Sequence, residues 1–232
     1  LSCFFCATGF LNRERNLTAA EIYDQVVLIN KQAKESQGRN LSNIVFMGMG
    51  EPLLNYTNVL DAIEKITSEE GLHISAKRIT VSTAGIAKAI KRLGDDGAKF
   101  NLAVSLHAAD DEKRNTIMPI NEHNNIEVLI DAIKYFQSKC KGEVTFEYIL
   151  LDGVNDTIED AKKLVNICNQ LHDVKVNVIE YNKIEQADFH KSTIDTRDKF
   201  IEYLSKHRVI ANVRKSRGKD IDAACGQLAN KG

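Results

Sequence analysis

Cys3 and Cys6 stand two residues apart in the stretch LSCFFC. Thiolates bind soft metals and exchange as dithiols, so a CxxC pair fits half a zinc site, a redox pair or part of an iron–sulfur loop. A structural zinc site needs a second Cys or His pair, whereas Cys140, Cys168 and Cys225 are isolated and no HxxxH occurs. A thioredoxin-like dithiol would follow the first strand of a small βαβ unit. The third option is a CxxxCxxC loop whose first cysteine precedes Leu1. Because residue 1 is Leu and LSCFFC reads as loop, the chain is expected to be a fragment with its upstream part, including a first strand, missing.

A second set of residues follows strand-like runs: Gly50 and Glu51 in GMGEP, Ser82 in VSTAG, Ser105, Leu106 and His107 in VSLHA, and Asn182 in EYN. In parallel α/β architectures the C-terminal strand ends form the ligand-binding face. Each residue also has a plainer use. The serines can cap helices or satisfy strand ends, His107 can be a hydrogen-bonded core residue, and Asn182 can serve a turn. Cys225, taken alone, reads as a small buried hydrophobe, and Cys140 and Cys168 as inert thiols.

The elements that would position these residues alternate. NLTAAEIYDQVVLINKQAKE reads as a helix, with a Thr18–Glu21 capping box and a stripe of Ile22, Val26, Ile29 and Ala33. Strand-like NIVFM, RITVS, FNLAVSLH, VTFEYIL, VKVNVIEYN and VIANVR follow in turn. Helical VLDAIEKIT, IAKAIKRLG, NIEVLIDAIKYFQSK, AKKLVNICNQL and DKFIEYLSK separate them. Between SLHA and NIEVLI lies a polar stretch with no helical reading. Alternating βα units specify a parallel sheet. Six strands fall short of the eight of a closed TIM barrel, so the fold class is α/β, a partial barrel in one domain over residues 1–232.

The 232 residues carry a net charge of −1, with 43% hydrophobic and 27% charged content. That balance describes an ordinary globular chain and gives no whole-chain attraction for nucleic acid. Basic residues gather locally at Arg208, Arg214, Lys215, Arg217 and Lys219, which as a bare run reads as a solvated face. No apolar run approaches the ~18 residues of a membrane span. Five cysteines in a chain of this size do not form a disulfide framework, and a reducing, cytoplasmic setting is expected.

GMGEPLLN, VSTAG, VSLHA, MPIN and DIDAACGQLA, in that order, resemble the radical S-adenosylmethionine enzymes that methylate adenine in RNA, most closely the dual-specificity adenine-C2 methyltransferases. The resemblance spans essentially the whole chain. It implies a radical SAM partial barrel and a [4Fe-4S] cluster held by Cys3, Cys6 and a third cysteine upstream. It further implies S-adenosyl-L-methionine lined by Gly50, Glu51, Ser82, Ser105, Leu106, His107 and Asn182, and a methyl-carrying catalytic cysteine at Cys225. Small neighbours, Ala223, Ala224 and Gly226, would leave room there for cofactor and base.

The implied substrates are large-subunit ribosomal RNA and tRNA, and the implied electron source is a flavodoxin or ferredoxin. The enzyme would act as a monomer, without a membrane. A resolving cysteine, and with it a transient disulfide bond, would release product. That cysteine, a catalytic glutamate and an accessory domain belong upstream, so this chain alone is expected to be inactive. The resistance-type carbon-8 methyltransferases and a non-catalytic RNA-binding remnant are the alternatives. Asn12-Arg13 and VIEYNKI depart from the family's usual segments.

Overall fold

The computed structural model describes residues 2–214 and 224–229. Helix α1 (Ala19–Gln37) begins as its sequence predicts, with the Thr18 hydroxyl accepting the Glu21 N–H and the Glu21 carboxylate accepting the Thr18 N–H. Arg15 braces the same carboxylate at 2.7 Å. The helix stops at Gly38, whose φ of +68° is a left-handed cap that glycine supplies without steric cost. Ile22 and Val26 pack inward, but Ile29 stays exposed, because α1 rides on the outside of a second helix and buries no residue fully.

The rest of the chain runs β1 (Ile44–Phe46), α2 (Tyr56–Thr67), β2 (Ile79–Thr83), α3 (Ala87–Asp95), β3 (Asn101–Ser105), α4 (Asp111–Ile117) and α5 (Ile126–Lys139). It continues with β4 (Val144–Leu150), α6 (Ile158–Cys168), β5 (Lys175–Glu180), α7 (Ile194–Lys206) and β6 (Ala211–Arg214). The six strands lie in chain order, every neighbouring pair parallel. One uniform winding direction curls such a sheet into a partial barrel with the helices outside.

Two differences from the sequence reading matter. The polar stretch DEKRNTI is helix α4, capped by the Asp110 carboxylate, which accepts the Lys113 N–H at 2.8 Å. NIVFM contributes only a three-residue strand.

Alternation along the strands divides the two sheet faces. Ile79, Val81, Leu102, Val104, Val144, Phe146, Tyr148, Val176 and Val178 point toward the helices and build the main core. The opposite, concave face carries Ser82, Ser105, Glu147, Asn177 and Arg214. Register sets Ser105 beside Glu147 and Glu147 beside Asn177. A second apolar cluster closes the C-terminal mouth of the barrel with Phe5, Ile117, Met118, Ile149, Leu151, Ile179 and Tyr181, and Cys3 and Cys6 pack against it.

Candidate active site

The cysteine pair occupies a tight loop at that mouth. The Phe4 N–H donates to Ile117 O at 3.1 Å, the Cys6 N–H to Cys3 O at 3.3 Å and the Gly9 N–H to Cys6 O at 2.8 Å. Gly9 is required here, because a Cβ would lie 2.4 Å from Cys3 O. The Cys3 thiol is pushed up to about 11, chiefly by burial and then by the neighbouring Cys6 charge. A cation bound between the two thiols would relieve both effects, displacing the proton as it binds.

The strand ends surround this loop. Gly50 takes φ +92°, turning the chain after β1 so that the carboxylate of Glu51 swings under the next strand. Glu51 accepts the Leu53 N–H at 2.9 Å and the Ala84 N–H at 2.6 Å. Burial raises its pKa, and those amide bonds oppose the rise. Ser82 lies half-buried on the concave side of β2, beside Ala103.

Ser105 and Leu106 belong to a buried hydrogen-bond node. Leu106 is fully buried in the core, its N–H donating to Glu147 O at 3.1 Å, so its side chain is turned away from the mouth. His107 adopts φ +58° and is 5% exposed. Its Nδ1 accepts the Ile149 N–H at 3.1 Å, and its ring meets the edge of Phe5 with centroids 4.7 Å apart. Burial lowers its pKa to about 3, aided by the Arg114 charge, so the ring is a neutral acceptor supporting the cysteine loop.

The C-terminal segment returns to the same place. The Ala7 N–H donates to Gly226 O at 2.8 Å, the Thr8 hydroxyl to Leu228 O at 2.6 Å, and Asn182 Nδ2 to Cys225 O at 3.0 Å. These bonds bring Cys225 beside the Cys3–Cys6 loop. Cys225 is exposed, not buried as its sequence alone suggests, and Gly226 follows at φ +84°. The surrounding protein raises the thiol's pKa by desolvation, the positive charge of Arg214 lowers it, and the charges of Cys6 and Glu147 raise it.

Among the described residues the buried amide oxygen of Gln227 has no hydrogen-bond partner, and the Tyr181 hydroxyl has only the Ile184 backbone near it.

All five cysteines are free thiols, so the disulfide expected from the resemblance does not form among them. Cys140 and Cys168 are buried at helix ends, away from the mouth, Cys168 with its pKa raised to about 12. Of the basic run, Arg208 lies just ahead of β6 and Arg214 at its end, inside the concave face. Lys215, Arg217 and Lys219, like Ala223, lie outside the described residues. Among the described residues no three Cys, His, Asp or Glu side chains gather into a metal-sized group. Cys3 and Cys6 nonetheless supply adjacent soft thiols of the kind an iron–sulfur cluster selects. No helix among the described residues is long and apolar enough to cross a membrane.

Sequence reasoning missed two residues of this region. Arg114, in the stretch read as polar loop, is fully buried beneath the mouth. Arg214, read as part of a solvated run, pairs with Glu147 at 3.2 Å. Only the buried ends of the strands that they touch reveal them.

Residues 1–165 match the family model described as the Radical SAM superfamily. A protein of Cytophaga hutchinsonii named "Probable dual-specificity RNA methyltransferase RlmN" is 59% identical over 231 residues, covering 100% of this chain and 63% of its own length. The "Dual-specificity RNA methyltransferase RlmN" of Campylobacter hominis is 44% identical over 231 residues, covering 100% of this chain and 64% of its own. The chain thus spans less than two thirds of these relatives. A solved radical SAM methyltransferase from Sphaerobacter thermophilus superposes with a TM-score of 0.94 at 42% identity, covering 97% of this chain and 66% of that one. A domain of a pyruvate-formate lyase-activating enzyme from Bacteroides vulgatus shares the fold, with a TM-score of 0.60 at 17% identity.

Proposed function

The chain belongs to the radical SAM superfamily, and on that premise we propose that it is the core of an RNA methyltransferase acting on carbon 2 of adenine through a methylated Cys225. The observation that supports this most is the clasp between the two ends of the described chain. Ala7 and Thr8 bond to Gly226 and Leu228, so the carrier thiol stands beside the loop of Cys3 and Cys6.

In this reading Cys3 and Cys6 would be two of the thiolates that hold a [4Fe-4S] cluster. Bound cluster and S-adenosylmethionine supply the one-electron cleavage that activates an otherwise inert methyl group. Gly50 lets the backbone approach the methionine end closely. Glu51, already accepting two amide hydrogens, keeps lone pairs for an ammonium group. Ser82, Ser105, Leu106, His107 and Asn182 line the rest.

Carbon 2 of adenine is electron-poor and a weak nucleophile toward a sulfonium methyl. A thiolate is a strong one. The Arg214 charge favours loss of the Cys225 proton, and the thiolate would be the acceptor for a methyl group from bound S-adenosylmethionine, with S-adenosylhomocysteine as the leaving group. Ala224 and Gly226 leave space beside it. The substrates in this reading are large-subunit ribosomal RNA and tRNA, which present adenines that can be splayed from their stacks. A flavodoxin or ferredoxin supplies the electron.

The test is peptide mass spectrometry of active full-length protein, with the methyl expected on the tryptic peptide that holds Cys225. Cys225→Ala should keep cofactor binding and make no methyladenine. A methyl mapped to Cys140 or Cys168, or RNA methylation by the variant, would overturn the reading.

A further inference from the structure

Arg114 is fully buried and all its donors are used. Nε–H donates to Leu106 O at 3.0 Å. Nη1 donates to Asn121 Oδ1 at 2.6 Å and Asn124 O at 3.3 Å, and Nη2 to Ala84 O at 2.8 Å and Ser105 O at 3.1 Å. Every acceptor is a neutral oxygen, and among the described residues no carboxylate lies within ion-pairing distance of it. The fork is therefore fixed in place but its charge is not neutralised. Burying an unpaired ion costs several kcal/mol unless an anion answers it.

The cysteine loop lies where such an anion would sit. Ile117, one turn along α4 from Arg114, accepts the Phe4 N–H between Cys3 and Cys6. The carbonyls of Ser105 and Leu106 that Arg114 holds lead straight into His107, whose ring packs on Phe5 between the two cysteines. The peptide of Ala84 links the machinery further, since its N–H donates to Glu51 while its C=O accepts from Arg114. A purely structural clamp on three strand-end carbonyls would need donors, but not a permanent charge.

We infer that Arg114 is a positioning residue that supplies the fixed counter-charge for the anionic cluster bound at Cys3 and Cys6, and thereby raises its reduction potential. This rests on the cluster reading above. One-electron reduction adds a negative charge to a cluster already carrying thiolates, and a buried cation beneath the loop favours the reduced form. Asp111, whose carboxylate accepts from the same Asn121 amide that accepts from Arg114, carries the opposite charge and should shift the potential the other way.

The experiment is a redox titration of the cluster, followed by electron paramagnetic resonance, in the anaerobically reconstituted full-length protein. Arg114→Met should shift the midpoint potential to more negative values. Arg114→Lys keeps the charge and should stay near wild type even where it lowers thermal stability. Asp111→Asn should shift the potential to less negative values. Its Oδ1, the acceptor for Asn121 Nδ2 and the Ile126 N–H, survives the change, so the fold is retained. If Arg114→Met fails to fold, the sign of the Asp111→Asn shift decides.

Unchanged potentials in the folded variants, with only stability lost, would make Arg114 a structural clamp and overturn the inference. Absence of any cluster in wild-type protein would instead sink the cluster reading, and this inference with it.

Discussion

Arg214 reaches across β5 to Glu147, its Nη1 3.2 Å from Oε2, although the two residues lie on strands that do not touch. Asn177, on the strand between them, holds the other carboxylate oxygen at 2.8 Å. Glu147 is only 3% exposed, so the pair is the carboxylate's main compensation in the concave face.

Arg214→Met therefore strands a buried carboxylate. The expected loss is about 1–3 kcal/mol, below the figure for a fully buried pair because over a third of the Arg214 side chain stays in water. Urea unfolding measures it. The same change removes a charge that favours the Cys225 thiolate, so iodoacetamide should label Cys225 more slowly at pH 8. Equal labelling rates in folded wild-type and variant protein would show that Arg214 does not act on the thiol.

His107 sets an acid limit on stability. Burial holds its folded pKa near 3 against an ordinary value of 6.5, so below about pH 6.5 the unfolded chain takes up a proton that the folded chain refuses. Its contribution is complete above that pH and falls by about 1.4 kcal/mol per unit as pH drops toward 3. Asn tolerates positive φ and can accept the Ile149 N–H. His107→Asn should thus fold at neutral pH and lose this part of the acid slope, as read by thermal melts from pH 7 to 4.

Gly9→Ala tests the cysteine loop. A Cβ set 2.4 Å from Cys3 O must push backbone apart, so the loop shifts and Cys3 and Cys6 lose their mutual geometry. The core is untouched, so far-UV circular dichroism should match wild type, while iron retained after reconstitution of the full-length protein falls severalfold. Full iron occupancy in the variant would show that the loop absorbs the change.

Asn182→Ala removes the side-chain bond to Cys225 O. Losing one such bond costs about 1 kcal/mol of local anchoring, or roughly a fivefold rise in the open population. Native-state proteolysis between β6 and Leu228 should speed up to match, with the melting temperature of the barrel little changed. Unaltered cleavage would mean that the segment is held without Asn182, by contacts such as those of Ala7, Thr8 and Gln227.

How much of this was readable from the sequence follows from the range of each interaction. The Thr18–Glu21 capping box and the strand runs RITVS and FNLAVSLH are local patterns, and both appear in the fold as read. So does the parallel order, because each crossover is written between its strands. Helix α4 escaped because its inward face offers few apolar side chains, and its buried anchor is an arginine, the residue type least expected inside. The exposure of Cys225 and the pairing of Arg214 with Glu147 depend on contacts between segments far apart in the chain, which no spacing rule encodes. The roles read for Gly50, Glu51, Ser82, Ser105 and Asn182 came from resemblance rather than periodicity. For Leu106 the fold shows a side chain committed to the core, and for His107 a ring packed on Phe5 whose Nδ1 is taken by the Ile149 N–H.

The clasp between Thr8 and Leu228 joins residues 220 apart in sequence. During synthesis at ~5–20 residues per second, the cysteine loop emerges roughly ten to forty seconds before its partner exists. For that interval Cys3 and Cys6 are tethered only to whatever barrel has formed, with Ala7 and Thr8 unbonded and the thiols open to solvent. The loop is thus among the first parts of the described chain to be made and among the last to be completed. A ligand that reached Cys3 and Cys6 before Leu228 had emerged would meet the loop without its clasp.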